Sequence, residues 1–113
     1  MEFQVKEAQD VVVITLTGEM VGGPDATALN DQVKELVKKG KGRVVINLKH
    51  VNWMNSSGLG ILIGSVNTIR KNGGDLRLAH LNEKPRHVLE ITKLDRVFKI
   101  FDSEEEAIAS YSE

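Results

Sequence analysis

Apolar and polar positions change period several times along this chain. Phe3 to Glu7 alternate, Gln9-Asp10 offer a turn, and Val11 to Thr17 form a β-branched run closed by Gly18, which predicts an opening β-hairpin. Pro24-Asp25 then start a segment with Ala26, Leu29, Val33, Leu36 and Val37 on one face, ended by Gly40: an amphipathic helix. Arg43 to Leu48 is short and almost continuously apolar, the pattern of a central strand covered on both faces.

After Met54, the residues Asn55-Ser56-Ser57 are of the N-cap type. Leu59, Leu62, Ile63, Val66 and Ile69 then recur at helical spacing until Asn72-Gly73-Gly74. Asp75 to Leu81 predicts a strand, Pro85 to Thr92 a short helix, Val97 to Asp102 a last strand, and Ser103 to Tyr111 a capped helix with Ala107, Ile108 and Tyr111 aligned. The order ββαβαβαβα predicts an α/β fold: a mixed, mostly parallel sheet with an N-terminal hairpin, right-handed crossovers and about four α-helices. No linker or internal repeat divides residues 1–113, so a single domain is expected.

Gly58, Gly60 and Gly64 fall inside one predicted helix, where each costs about 1 kcal/mol relative to Ala. That penalty predicts close approach of the helix backbone to the sheet or to a partner. One of the Asn55, Ser56 and Ser57 side chains is expected to cap the helix. A helix start also favours negative charge, so a phosphate on a serine there is compatible with the fold.

Composition narrows the function. Fifteen Lys and Arg against sixteen Asp and Glu give a net charge of −1, with no basic stripe interleaved by aromatics, which argues against nucleic-acid binding. The start, Met1-Glu2-Phe3-Gln4-Val5-Lys6, is unlike a signal peptide and no apolar run is long enough for a membrane helix, so a cytoplasmic location without membrane insertion is expected. With no cysteine, thiolate chemistry is excluded. His50, His80 and His87 lack metal-ligand spacing and read as solvated or core-edge side chains. No Gly-x-Ser-x-Gly elbow is present, and Gly58-x-Gly60 is followed by Gly64 rather than by a glycine three residues on, against a dinucleotide fingerprint. No catalytic residue, metal or cofactor is expected. Glu104-Glu105-Glu106 read as a solvated helix start, Trp53 as packing, and Ile61 as lying on the helix face opposite Leu59, Leu62 and Val66, open to partner contact.

The segment Trp53-Met54-Asn55-Ser56-Ser57-Gly58-Leu59-Gly60 resembles the aromatic-Met-Asp-Ser-Ser-Gly-Leu-Gly pattern of STAS domains in bacterial anti-sigma factor antagonists. The early Leu16-Thr17-Gly18-Glu19 turn and the late Leu94-Asp95-Arg96-Val97-Phe98-Lys99-Ile100-Phe101 segment are similar to the family's as well. The resemblance implies the STAS fold and a non-enzymatic, partner-switching regulator of transcription. In that family the unphosphorylated protein binds an anti-sigma factor that is also a serine kinase, which frees a sigma factor. Phosphorylation of the first serine of the pair ends the binding, and a serine phosphatase reverses it. By position the phosphorylated residue is Ser56, with Ser57 the second choice. The partner surface implied comprises Gly22, Gly23, Asp25, Asn55, Ser56, Ser57, Gly58, Leu59, Gly60 and Ile61.

Two departures stand out. Asn55 replaces the acid usual before the phosphorylated serine, and the early loop reads Met20-Val21-Gly22-Gly23-Pro24, with Asp25 displaced from its usual place near the Gly-Glu turn. They leave open an alternative, a STAS scaffold that works in another signalling or membrane-associated complex without phosphorylation. Weak nucleotide binding near the Ser56 turn also stays open.

Overall fold

In the computed structural model the described residues are 2–112, with residues 24–26 described by backbone alone. Strands β1 (Glu2–Ala8) and β2 (Val11–Thr17) form the expected antiparallel hairpin, with Gln9 and Asp10 both at positive φ in its tight turn. Helix α1 (Pro24–Lys38) follows, then β3 (Arg43–His50), α2 (Ser56–Lys71), β4 (Asp75–Ala79), α3 (Glu83–Ile91), β5 (Ile100–Phe101) and α4 (Glu104–Ala109). The sheet order is β1-β2-β3-β4-β5, and every pair after the hairpin is parallel. β3 is therefore the central strand, as its almost continuous apolar run predicts.

Alternation along the strands sorts the core into two layers. Val12, Ile14 and Leu16 of β2, Val44, Ile46 and Leu48 of β3, and Leu76 and Leu78 of β4 face α1, α2 and α3, where Leu29, Val33, Leu62, Val66, Ile69 and Leu89 meet them. The opposite face carries Val11, Val13, Val45 and Ala79, and among the described residues it is covered by α4, through Ala107 and Ile108, and by Tyr111 just beyond. This face is thin, and polar contacts add to its hold on α4. Glu104 receives hydrogen bonds from Asn47 (3.0 Å) and Lys6 (2.8 Å), and Arg77 lies 3.9 Å over the Tyr111 ring.

Among the differences from the sequence reading are two strand ends and one helix start. β4 stops at Ala79 rather than Leu81, because His80 is left-handed (φ 58) and turns the chain. The last strand shrinks to Ile100–Phe101: a 3-10 turn at Leu94–Arg96 precedes it, and Phe98 drops into the core instead of extending the ladder. Glu104 does not open a solvated helix, since its side chain is 15% exposed and bonded on both oxygens. Burial pushes the Glu104 carboxyl up, but the bonds from Lys6 and Asn47 outweigh it and hold the group below the usual range. Among the described residues, no helix is long and apolar enough to cross a membrane.

Candidate functional site

The Ser56 turn lies at the carboxyl end of β3, where chain leaves the sheet for α2. It is built from backbone. Val51 and Met54 are fully buried and anchor the loop, while Trp53 between them is 45% exposed. Trp53 is thus a surface side chain and not core packing, since its two apolar neighbours occupy the inward positions. The Asn82 side-chain amide clasps the same loop, donating to the carbonyls of Lys49 and Val51, both at 2.9 Å. Nothing in the spacing of the chain pointed to Asn82.

The early loop is stitched onto this turn. The Met20 amide donates to the Trp53 carbonyl (3.0 Å) and the Asn55 amide to the Met20 carbonyl (3.2 Å), a parallel bridge that prolongs the β2–β3 pairing beyond the strands. Gly58 sits directly under Met20, and a Cβ there would collide with the Met20 carbonyl. Gly22 is left-handed (φ 94), and a Cβ on it would stand 2.8 Å from Ser57 Cβ, so this position demands glycine for conformation and for space. The helix glycines are not alike, because Gly60 and Gly64 meet nothing within 4 Å. They face a groove of about 190 Å³ between α1 and α2, shared with Asn30, Ser57 and Ile61.

Of the three cap candidates, Asn55 does the capping: its Oδ1 accepts the Gly58 amide at 2.9 Å. Ser56 and Ser57 occupy the first two helical positions, are exposed, and have no hydroxyl hydrogen bond to any described residue. Of the residues expected to meet a partner, Gly23, Ser56, Ser57 and Gly60 are exposed, and Gly22 and Asn55 are half-buried at the same corner. The side chain of Asp25 lies outside the described residues. Leu59 (4% exposed) and Ile61 (7%) belong to the core, and Gly58 is buried. Ile61 is enclosed because α1 packs beside α2, so a helix face that is polar by spacing is covered by a second helix. On the outer surface, the half-exposed Trp53 and Val21 (40%) supply apolar area from the two stitched loops that hold the turn.

The histidines differ among themselves. His50 and His87 are exposed, whereas half-buried His80 accepts the Glu104 amide at Nε2 (3.0 Å) and so satisfies a free N–H at the start of α4. No group of His, Asp and Glu suited to a metal occurs among the described residues.

A family model described as the STAS domain matches residues 2–107. The anti-sigma-B factor antagonist of Bacillus subtilis is 30% identical over 96 residues, covering 85% of this chain and 86% of that protein. The NMR structure of the protein TM1081 superposes with a TM-score of 0.85 at 31% identity, over 96% of this chain and 87% of the other. The fold is also that of the Bacillus cell fate determinant SpoIIAA, an anti-sigma factor antagonist solved in two forms. Its unphosphorylated form matches at TM-score 0.73 (19% identity, 98% of this chain and 97% of the other), and its phosphorylated form at 0.74 (23%, 97% and 99%).

Proposed function

This chain belongs to the STAS domain family, with relatives that are anti-sigma factor antagonists, and on that premise we propose that it binds an anti-sigma factor serine kinase until Ser56 is phosphorylated. The carrying observation is the division of labour at the helix start. Asn55 satisfies the α2 amide, which leaves the Ser56 hydroxyl exposed and free of internal bonds. A kinase reaches such a hydroxyl without unfolding anything, and a serine phosphatase reaches the product in the same way. Ser57, the second candidate, is exposed too, but it packs against Gly22 and borders the α1–α2 groove. That tighter setting favours Ser56.

Phosphate adds about −1.5 to −2 charges. In water the start of α2 tolerates them, since a helix N-terminus favours negative charge by about 0.3 to 1 kcal/mol. A partner that covers the corner strips the phosphate of water, and each 1.4 kcal/mol so lost weakens binding about tenfold. Release then comes from local repulsion and desolvation, with the fold unchanged. The near-equal fit of this fold to the two SpoIIAA forms supports a switch of that kind. The partner surface proposed is Gly22, Gly23, Ser56, Ser57 and Gly60, with Asn55 as the cap beneath it.

The test is binding of the cognate kinase in the presence of nucleotide by Ser56→Ala and Ser56→Glu. Ser56→Ala is expected to bind and to resist phosphorylation, and Ser56→Glu to lose the complex. Mild effects from both favour the phosphorylation-independent scaffold, the reading to which Asn55, in place of an acid, gives its support.

A further inference from the structure

The amino ends of the same parallel strands carry a second concave surface, far along the sheet from Ser56. A cleft of about 410 Å³ opens where the α1–β3 and α2–β4 turns meet, at Gly42 and Gly74. Those turns touch through backbone: the Asp75 amide donates to the Gly42 carbonyl at 2.9 Å, and a Cβ on Gly74 would run into Gly42. The volume is within the range of small-molecule sites, roughly 300 to 1,000 Å³. Half-buried Val37 gives it an apolar edge, with fully buried Ile69 behind, and Arg43, Asp75, Arg77 and Tyr111 give it a polar wall.

Charge at the polar wall is unbalanced. Strand register puts Arg43 opposite Asp75 and Val45 opposite Arg77, so Arg43, Asp75 and Arg77 share the face that carries α4. Asp75 Oδ1 accepts Arg70 Nε at 2.8 Å and the Leu76 amide at 2.9 Å, and Oδ2 accepts Arg77 Nε at 3.2 Å. Burial pushes this carboxyl up, yet the Arg70 and Arg77 bonds prevail and keep it below its usual range, hence ionised. One carboxylate is thereby committed to two guanidiniums, each with five N–H donors. Arg43 makes no ion pair with any described acid, and across it Glu7 is taken by Lys41, leaving Asp10 as the other acid of the adjoining recess. Arg77 is held rigidly by Asp75, by Ser110 Oγ (2.6 Å) and by stacking on Tyr111, which fixes the direction of its remaining donors.

We propose that this cleft is a binding site for a small organic phosphate, with the phosphate on Arg43 and Arg77 and the less polar part against Val37. Guanidinium forks match phosphate oxygens in pairs, and Arg43 is left without an acidic partner among the described residues. Ligand and protein partner occupy opposite ends of the strands, so the two can be held together.

The experiment is an amide-resonance titration of the full chain with phenyl phosphate, inorganic phosphate and benzyl alcohol. Phenyl phosphate is expected to give saturable shifts at Gly40, Gly42, Gly73 and Gly74 and none at Gly22, Gly58 or Gly60. Inorganic phosphate should move the same amides more weakly, and benzyl alcohol should not move them. Arg43→Gln, an exposed change that leaves the Asp75 pairs intact, should weaken binding about tenfold, the scale of one charge-assisted hydrogen bond. Shifts that spread over the surface without saturating in the millimolar range would overturn the proposal, as would an Arg43→Gln titration identical to that of the unmodified protein.

Discussion

At the carboxyl ends of the parallel strands, the hydrogen bonds that fix the Ser56 turn run to backbone: Met20 to Trp53, Asn55 to Met20, the Asn55 cap, and the Asn82 amide on the Lys49 and Val51 carbonyls. At the amino ends and along α4, side chains are consumed in the structure, with Asp75 between two arginines and the Tyr111 hydroxyl shared by Val44 and Asp75. The difference teaches how the fold presents a switch. A turn gripped through its backbone groups, by backbone partners and by the Asn55 and Asn82 side chains, keeps the Ser56 side chain free, so Ser56 can change charge without disturbing what holds it. A seam held by side chains has no such freedom.

The largest effect that sharpens this contrast is expected at Gly58. Ala there forces the Met20 carbonyl away and separates the two stitched loops, at a cost of about 3 kcal/mol, and urea unfolding would measure it. The paired control, Gly60→Ala, has open space and a helical position, so a gain of about 0.5 to 1 kcal/mol is expected instead. Equal effects at the two glycines would break the account of the turn.

On the seam side, Tyr111→Phe removes a hydroxyl that donates toward the Val44 and Asp75 carbonyls (2.7 and 2.8 Å) and accepts the Val44 amide (3.2 Å). A loss of about 1 to 3 kcal/mol is expected in the same assay. Burial, and after it the negative charge of the Asp75 carboxylate, raise the Tyr111 phenol well above its ordinary range, so the hydroxyl stays protonated across all ordinary pH.

A smaller effect separates the two regions by pH. Asp75 and Glu104 both have folded pKa values below the ordinary carboxylate range, despite burial that opposes the shift. Their contribution to stability is therefore complete above about pH 4 and is lost as pH falls through the lowered folded values. Urea midpoints should decline over that acid range, and the decline should flatten in Asp75→Asn and Glu104→Gln. An acid limb unchanged in both variants would show that the seam is not held by these ion pairs. Changes at Ser56 should leave the limb unaltered.

Much of the fold was legible in the sequence because the sheet obeys its period. The β-branched run of β2, the almost continuously apolar β3 and the spacing of Leu59, Leu62, Val66 and Ile69 each have one good burial solution. Ile61 was not legible, since helical spacing assigns a residue to a face without saying that α1 will cover that face. Glu104 and His80 escaped for a related reason: their partners Asn47, Lys6 and the α4 backbone are distant in sequence. At the turn, residue types identified a cap and a candidate phosphoacceptor, but geometry was needed to assign capping to Asn55 and to separate Gly58 from Gly60 and Gly64.

The most direct test of the switch is peptide-level mapping of phosphate on the protein recovered from its own cells, growing and stressed, in both the free and the partner-bound fraction. The account predicts phosphate on Ser56 that varies with condition and is confined to the free fraction. Phosphate absent from Ser56 under every condition, or present equally in the bound fraction, would contradict it.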